Sequence, residues 1–555
     1  MRDSLKVKFI SSLEKCFWDE NIEDKPTLER ISMLRNEHLS VQVAMIETGA
    51  VWIKQIAKIK VISPIADCIT LRGVEMVPVE MPITMGGGDD YFLRKEPGFY
   101  PDLLTPLRYE GSMILPVGKL QAMWVDIRPE GRYSGEYPIT VEVYDDKGEE
   151  LLASTSMTVD VIALDLPEQR LLHTEWFYAD TLAAYYNVET YSERHWEIIE
   201  NYLKSATDGG VNMILTPLIT LPLDTTIGKE RPTFQLVDVT IDRDKYTFDF
   251  DKLDRWIDLL LKYRVKCIEI GHLFTQWGAE HAPKVMATVD GEYKRIFGWE
   301  DDATGEEYVT FLRALLTETL AFLKAKGVDK MCRYHISDEP NAQHLENYLA
   351  AKKIVQDIVG EYPIMDALSN VEYYKQGVSE HPVPTNMAIE HFLTAGFDDP
   401  WVYYCCCEYQ EYVSNRFIAM PSARNRIIGT QMYKFGVNGF LHWGFNFYYN
   451  RGSDSVINPY ITSAGDWGVS GGDSYMVYPA HDGTAYDSVR FLVFKHALED
   501  MRAYELCERL YGKDYVLNLI EGELEEKITF KCYPHGAEYI LNLREKVNKA
   551  IKAKI

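Results

Sequence analysis

The first third of the chain, from about residue 38 to 165, alternates hydrophobic and polar positions over short stretches. Ile139, Val141 and Val143 alternate with polar residues, the turn sequence DDKG follows at 145–148, and a second alternating run continues beyond it. A period of two, broken by a turn, predicts a β-hairpin. We therefore expect a β-sandwich domain over residues 36–167, preceded by an N-terminal helical arm over residues 1–35.

From about residue 170, short apolar segments alternate with helix-like patterns. Eight such repeats predict an α/β fold class, a distorted (β/α)8 TIM barrel over residues 168–510, with a doubly wound sheet as the alternative. Residues 511–555 are expected to form a helical or irregular C-terminal extension. The predicted strands are Leu171–Trp176, Asn212–Pro217, Lys266–His272, Met331–Ser337, Pro363–Leu368, Met387–His391, Val402–Cys407 and Gly439–Trp443.

Charge and composition narrow the class of partner. The 555-residue chain has a formal net charge of −26, which argues against a nucleic acid or an anionic membrane because both need a basic face. Aromatic residues make up 12% of the chain, and flat amphipathic side chains suit the stacking of sugar rings. A carbohydrate substrate is therefore favoured. The oligomeric state stays open, and a homo-oligomer fits the sequence.

The cysteines and the N-terminus bear on location. The first twenty residues contain no apolar run long enough for a signal peptide, so a cytoplasmic location is expected, although a processed secreted protein would look the same. Nine cysteines without CxxC spacing fit a reduced compartment. Cys405, Cys406 and Cys407 are interpreted as core strand, since consecutive strand residues point to opposite faces. No metal and no cofactor are predicted.

The sequence MCRYHISDEP, residues 331–340, carries the main candidate chemistry. Asp338 and Glu339 follow the fourth predicted strand, and catalytic groups of barrels lie at the carboxyl ends of strands. Glycoside hydrolysis generally needs two carboxyl groups, and two this close should raise the pKa of one of them. Glu339 is the candidate general acid. The alternative interpretation is that Ser337 or Asp338 caps the helix that follows.

Other predicted strand ends are also rich in polar and aromatic groups. Their convergence on one face favours a ligand site, because a packed face does not need so many amides, hydroxyls and carboxylates. The candidates for substrate contact are Glu175, Trp176, His272, Trp277, His335, Asn370, Trp443, Asn446, Asp473 and Tyr475.

With these residues laid out, the chain resembles glycoside hydrolase family 123, the β-N-acetylgalactosaminidases, and their uncharacterised relatives. The resemblance spans most of the chain and rests on WVDIRPEGRYSGEYPITVEVY, HLFTQWG, RIFGWEDDATGEEY, HISDEP, GFLHWGFNFYYN and GDSYMVYP. Family 20 also uses an Asp-Glu pair, but its glycine-rich lead-in is replaced here by His335-Ile-Ser337.

The resemblance implies a retaining, substrate-assisted exo-β-N-acetylhexosaminidase that releases N-acetylgalactosamine. In that mechanism the 2-acetamido oxygen of the sugar attacks its own anomeric carbon. Carried over, Asp338 would orient and stabilise the acetamido group, and Glu339 would protonate the departing oxygen and then deprotonate water. Trp443, Asn446, His272, Trp277 and Tyr475 lie in the matched motifs.

Two other functions stay open at this point. A glycosidase acting on a sugar without an acetamido group would need a further carboxylate, for which the chain offers Glu175, Glu390 and Asp473. A non-catalytic carbohydrate-binding protein is the third hypothesis. The intact pair counts against it, because binding alone gains nothing from two mutually repelling carboxylates.

Overall fold

The N-terminal region of the computed structural model is rich in β-sheet. The structure describes residues 3–49, 54–108, 111–243, 245–340, 342–466 and 468–555. Two five-stranded sheets, ordered β1-β3-β8-β5-β6 and β2-β10-β9-β4-β7, make up this region. The strands are β1 (Leu5–Ser11), β2 (Arg30–Leu34), β3 (Leu39–Glu47), β4 (Lys54–Ile62), β5 (Ile69–Val79), β6 (Gly98–Pro106), β7 (Ser112–Pro116), β8 (Gln121–Ile127), β9 (Gly135–Tyr144) and β10 (Leu151–Ile162).

The predicted hairpin is confirmed as β9 and β10, which pair antiparallel. Ile139, Val141 and Val143 are fully buried and share one hydrophobic core with Val43 and Val125 of the other sheet. The alternation of the sequence therefore places one face of each sheet in that core.

The predicted helical arm over residues 1–35 is wrong. Residues 5–11 form β1, which pairs antiparallel with β3, and residues 30–34 form β2, which pairs parallel with β10. Leu5, Val7 and Phe9 alternate with Lys6 and Lys8. This is the period of a strand, and pairing with β3 satisfies its backbone.

The second region alternates strands and helices as the sequence predicts. Its strands are β11 (Leu172–Glu175), β12 (Met213–Thr216), β13 (Asp238–Asp242), β14 (Lys245–Asp249), β15 (Cys267–Ile270), β16 (Val285–Val289), β17 (Glu292–Phe297), β18 (Cys332–Tyr334), β19 (Met365–Ala367), β20 (His381–Val383), β21 (Trp401–Tyr403), β22 (Gly439–His442), β23 (Val477–Pro479) and β24 (Ala485–Asp487). Its helices, with those of the C-terminal segment, are α1 (Ala179–Tyr186), α2 (Glu193–Asp208), α3 (Asp251–Lys262), α4 (Glu306–Lys326), α5 (Leu345–Val359), α6 (Val371–Lys375), α7 (Ile389–Thr394), α8 (Ser422–Arg426), α9 (Ile428–Phe435), α10 (Val489–Tyr511), α11 (Lys513–Glu521) and α12 (Ala537–Lys552).

Parallel strands form the centre of this region. Six of them make a sheet in the order β18-β15-β12-β11-β22-β21, and β19 pairs parallel with β20. Isolated parallel bridges join Tyr334 of β18 to Ile364 and Thr385 to Tyr403 of β21. The architecture is a mixed α/β fold with curved parallel sheets, and the carboxyl ends of these strands lie on one side.

One predicted strand of this region is wrong. The segment 387–391 does not form the sixth strand, because α7 begins at Ile389 and the strand is His381–Val383. Ile389 and Phe392 are buried at a spacing of three, which is a helical period. Seven of the eight predicted strand segments overlap a parallel strand of the structure.

A segment between β5 and β6, residues 80–93, reaches from the N-terminal region onto the loops of the second region. Asp89 forms a bidentate ion pair with Arg424, at 2.7 and 2.8 Å. The Glu80 carboxylate accepts hydrogen bonds from the backbone N–H groups of Ser463 and Ala464. The 80–93 segment therefore anchors helix α8 and the loop at residues 463–464.

The C-terminal helix α12 packs on α10 and along the edge strand β2. The Glu545 carboxylate accepts from the backbone N–H of Ser32, and Asn548 donates to the Ser32 carbonyl oxygen. These bonds cover backbone groups that an open sheet edge would leave unpaired. Over the described ranges, no helix is long and apolar enough to cross a bilayer.

Candidate active site

Asp338 and Glu339 follow β18 on a segment held by the loop after β15. The backbone N–H of Phe274 donates to the Ile336 carbonyl, and the N–H of Trp277 donates to the Asp338 carbonyl. The helix-cap interpretation is wrong, because α5 begins at Leu345 with His344 at its N-cap, and the Ser337 hydroxyl donates to the Thr275 carbonyl instead. The two carboxyl groups are therefore available to the solvent side of the sheet.

Both carboxyl groups line one cavity of about 120 Å³ at the carboxyl ends of the strands. Five predicted site residues lie there: Trp176, Trp277, Asp338, Glu339 and Trp443. The other lining residues are Asp224, Gln276, Ala367, Tyr403, Cys405, Cys406 and Leu441.

The surroundings of the pair favour bound protons. Burial, together with the negative charges of Glu339 and Asp224, raises the pKa of Asp338 well above its usual range. Desolvation in the cavity also raises the pKa of Glu339, whereas a hydrogen bond from the Tyr403 hydroxyl to Glu339 Oε1, at 2.7 Å, opposes the rise. The pair therefore titrates as a unit that holds a proton above the usual carboxylate range.

Asp224 is a third carboxyl group in the cavity that the sequence did not single out. Burial raises its pKa to about 7, with Arg231 opposing and Glu339 adding to the rise. Gln276 links it to the pair, because the Gln276 Oε1 accepts from the Asp224 backbone N–H and its Nε2 donates to Asp338 Oδ2, at 2.7 and 2.8 Å. Gln276 thereby fixes the orientation of the Asp338 carboxyl group.

Two tryptophans of the cavity are each held by a carboxylate. The Trp176 indole N–H donates to Glu269 Oε1 at 2.8 Å, and the Trp443 indole N–H donates to Asp473 Oδ2 at 2.7 Å. A hydrogen bond at the indole nitrogen fixes the plane of each ring beside the cavity. Asp473 therefore acts through Trp443 and does not itself line the cavity.

Three residues of the cavity have left-handed backbone conformations. Asp224, Trp277 and Glu339 have φ values of +46°, +64° and +46°. Such angles are uncommon for residues with a Cβ and concentrate at functional sites, where the surrounding structure holds them. The strain at Glu339 turns its side chain into the cavity directly after the buried Asp338.

His335 lies below the cavity in a closed polar network. Its Nε2 is 2.7 Å from Glu269 Oε1 and its Nδ1 is 3.0 Å from Asp366 Oδ1. Burial alone would lower the pKa of His335, but the two carboxylates raise it to about 10. The imidazolium therefore supports Glu269, which in turn holds Trp176, and it does not face the cavity.

Glu175, although at the end of β11, is closed off from the cavity. Both of its oxygens accept from Arg416, at 2.7 and 2.6 Å, and His173 Nε2 is 2.9 Å from Oε1. Burial would raise its pKa, but Arg416 lowers it to about 2. Glu175 is an anion locked in a buried ion pair.

Four further predicted contacts also lie outside the cavity lining. Asn370 is exposed and caps α6 by accepting from the Glu372 N–H. Asn446 makes two hydrogen bonds to the backbone of Tyr178. Tyr475 is buried and donates to the Pro459 and Thr462 carbonyls, and His272 is buried against the His335 ring at 4.4 Å.

Within the part of the chain that the structure describes, two groups of side chains have donor atoms close enough to share a metal ion: Cys405, Cys406 and Cys407; and His272, His335 and Asp366. The second group does not suit a metal, because both ring nitrogens of His335 are engaged by carboxylates and the imidazolium has no lone pair to give. The three cysteines of the first group lie beside the cavity.

The family model described as glycoside hydrolase 123, catalytic domain, matches residues 176–507. The chain belongs to glycoside hydrolase family 123. It is therefore a member of a family of glycosidases that act on carbohydrates, and the matched range contains the whole cavity lining. Among curated protein sequences, none matches the chain.

Solved structures agree with the family 123 assignment at the level of the fold. A family 123 glycoside hydrolase from Clostridium perfringens, studied for glycolipid glycan hydrolysis, matches with a TM-score of 0.73 and 15% identity, covering 99% of this chain and 97% of that chain. A putative β-galactosidase from Bacteroides fragilis matches with a TM-score of 0.33 and 7% identity, over 83% of this chain and 59% of that chain. The second similarity is too low to support an argument.

Proposed function

We propose that this family 123 protein is a retaining, substrate-assisted exo-β-N-acetylhexosaminidase that releases N-acetylgalactosamine. The observation that carries the proposal is that Asp338 and Glu339 face one cavity, walled by Trp176 and Trp443, with the pKa of both carboxyl groups raised. A protonated carboxyl group near neutral pH is what a general acid requires. The tryptophan faces provide stacking surfaces for a sugar ring.

In the proposed first step, the acetamido oxygen forms a bond to the anomeric carbon as the glycosidic bond breaks. Glu339 gives its proton to the departing oxygen, and Asp338 accepts a hydrogen bond from the acetamido N–H. That bond strengthens as the nitrogen gains positive charge, so it stabilises the transition state more than the bound substrate. In the second step Glu339 takes a proton from a water molecule. The water oxygen forms a bond to the anomeric carbon, and the bond from that carbon to the acetamido oxygen breaks, which opens the oxazolinium ring.

Substrate binding also decides where the shared proton lies. In the free site burial raises the pKa of both Asp338 and Glu339, so the two carboxyl groups share a proton. An acetamido N–H beside Asp338 stabilises its carboxylate form and so transfers the proton to Glu339. Gln276 and Tyr403, which each hydrogen-bond one member of the pair, keep the two groups oriented during this transfer.

We also propose that the parallel strands act as one distorted (β/α)8 barrel. The support is the ring of parallel contacts, in which the bridges at Tyr334–Ile364 and Thr385–Tyr403 link the β19–β20 pair to both ends of the six-stranded sheet. A barrel of this kind presents its strand ends, and the cavity, on one face.

The test is hydrolysis of p-nitrophenyl β-glycosides of N-acetylgalactosamine, N-acetylglucosamine, galactose and glucose. We expect turnover of the acetamido sugars only, fastest for N-acetylgalactosamine, with the β-anomer as the first product by NMR. A thiazoline analogue of the cyclic intermediate should inhibit at least about 100-fold more tightly than the free sugar, since it resembles the transition state.

Variants assign the role of the pair. Glu339→Gln should lower kcat by about 10²–10⁴-fold on substrates with a poor leaving group and much less on 2,4-dinitrophenyl glycosides, which leave without protonation. The matched control is Glu390→Gln, because Glu390 lies on α7 and bonds the Phe530 N–H. Equal turnover of galactosides, or an equal loss in the control, would contradict the proposal.

Asp224 supports a second candidate, a glycosidase acting on a sugar without an acetamido group. It lines the cavity, whereas Glu175, Glu390 and Asp473 do not. A carboxyl group with a pKa of about 7 is suited to act as a base on water. If this candidate holds, Asp224→Asn removes all turnover of galactosides or glucosides; on acetamido sugars the same variant should retain most of kcat.

A further inference from the structure

Three consecutive cysteines lie in a turn beside the cavity, and Cys405 and Cys406 line it. The sequence had indicated a core strand here. That interpretation is wrong because β21 ends at Tyr403. The Cys405 N–H donates to Glu408 Oε2 at 2.8 Å, and Asn415 Nδ2 donates to the carbonyl oxygens of Cys405 and Glu408, at 2.9 and 2.8 Å. In a turn, unlike in a strand, consecutive side chains can converge on one side.

The three sulfur atoms are spaced as ligands of one ion. Cys406 Sγ is 3.9 Å from Cys405 Sγ and 3.8 Å from Cys407 Sγ, and all three lie within 4.8 Å of one another. Thiolates about 2.3 Å from a tetrahedral Zn²⁺ are separated by about 3.8 Å, the edge of the tetrahedron. The two distances from Cys406 Sγ match that edge.

The turn also gives an ion a route to the site. Cys407 is exposed and Cys406 is half-buried, whereas Cys405 is buried, and Cys405 and Cys406 line the cavity beside Glu339. The buried Glu408 and Asn415 hold the backbone of the turn in place. Three sulfur donors select thiophilic cations over Mg²⁺ or Ca²⁺, which prefer oxygen.

We propose that Cys405, Cys406 and Cys407 form a binding site for a thiophilic d¹⁰ cation such as Zn²⁺, and that the bound ion blocks the cavity. Binding forms three metal–sulfur bonds and releases three thiol protons to the solvent. The ion then lies beside Glu339 and takes space from the sugar. The binding claim is independent of the proposed function, whereas inhibition of hydrolysis rests on it.

The first experiment titrates the reduced full chain with Cd²⁺, a spectroscopic substitute for Zn²⁺, and follows the thiolate-to-cadmium charge-transfer absorbance. We expect one ion per chain, displaced by excess Zn²⁺. Cys406→Ser and Cys407→Ser should each lose most of the absorbance, because two sulfurs make a weaker site. Cys532→Ser is the matched control, a half-buried cysteine far along the chain.

A second measurement uses the wild type alone, so that a variant that fails to fold does not decide the outcome. Zn²⁺ should slow iodoacetamide alkylation of Cys406 and Cys407, identified by mass spectrometry, and leave Cys532 unchanged. Absence of the charge-transfer band, or equal protection of Cys532, would overturn the site. Binding without loss of glycoside hydrolysis would keep the site and overturn the blocking of the cavity.

Discussion

Two buried carboxyl groups at the ends of parallel strands have opposite electrostatic character. Glu175 ends β11 and Asp338 follows β18, and they are 0% and 7% exposed. The pKa of Glu175 is lowered to about 2 by Arg416, whereas the pKa of Asp338 is raised by burial and by Glu339. Among the residues that the structure describes, no basic side chain pairs with Asp338. The neighbouring charge, not the position on the sheet, separates a structural carboxylate from a reactive one.

The largest expected effect comes from breaking the Glu175 pair. Arg416→Met leaves a buried anion without its cation, and we expect about 3–5 kcal/mol of destabilisation. Thermal unfolding followed by circular dichroism measures it. The double variant Arg416→Met/Glu175→Leu should recover most of the loss, because it removes both charges. If the single variant were as stable as the wild type, the pair would not be the structural element described above.

Removing the Asp338 charge should lower activity and leave the stability of the fold intact. Asp338→Asn is expected to lower kcat on acetamido glycosides by about 10²–10³-fold, as for the loss of one stabilising group at a developing charge. The unfolding midpoint should stay the same or rise, because like-charge repulsion with Glu339 is relieved. Steady-state kinetics and thermal unfolding of the same sample check both statements. An Asp338→Asn variant that is active and less stable would show that Asp338, like Glu175, has a structural role.

Glu175 and Asp338 should also have opposite effects on how stability changes with pH. Glu175, with a lowered pKa, contributes stability that is present above its unfolded pKa of about 4.3 and is lost as pH falls towards about 2. The raised pKa of Asp338 costs stability as pH rises above about 4. The advantage of Asp338→Asn over the wild type should therefore grow from pH 4 to 7. A constant difference in unfolding midpoint over that range would contradict the raised pKa.

The smallest expected effect is at Tyr403. Its hydroxyl donates to Glu339 Oε1 and orients the acid, so Tyr403→Phe should cost about tenfold in kcat/KM, the value of one hydrogen bond to a charged group. The pKa of Glu339 should rise further without this donor, moving the alkaline limb of the pH–rate profile upwards. A lowered alkaline limb would show that the hydroxyl does not stabilise the carboxylate.

Local sequence patterns predicted the parallel strands and the Asp338–Glu339 pair because both depend on neighbours in the chain. They predicted the three cavity tryptophans but did not predict Asp224 as a third carboxyl group of the cavity. Asp224 lies on a loop between β12 and β13 in a left-handed conformation, and only the folded chain brings it to Gln276. The strand β20, His381–Val383, is three residues long and contains a proline, so it has no readable alternation.

The failures at β1 and at the cysteine turn have different causes. The alternation of Leu5, Val7 and Phe9 was readable and indicates a strand. At Cys405–Cys407 the apolar run gave no sign that β21 ends at Tyr403, since the bonds from Glu408 and Asn415 that make the turn come from later in the chain. The Glu175 ion pair could not be predicted from local sequence either, because Arg416 is 241 residues away.

Because of the segment 80–93, we expect the range matched by the family model to be unstable when it is cut out alone. A fragment of residues 176–507 would keep every group that lines the cavity but would lose Asp89 and Glu80, which hold Arg424 and the 463–464 backbone. Transplanting the matched range onto another N-terminal region would require these two anchors to be transplanted with it. The two regions are therefore best engineered as one unit.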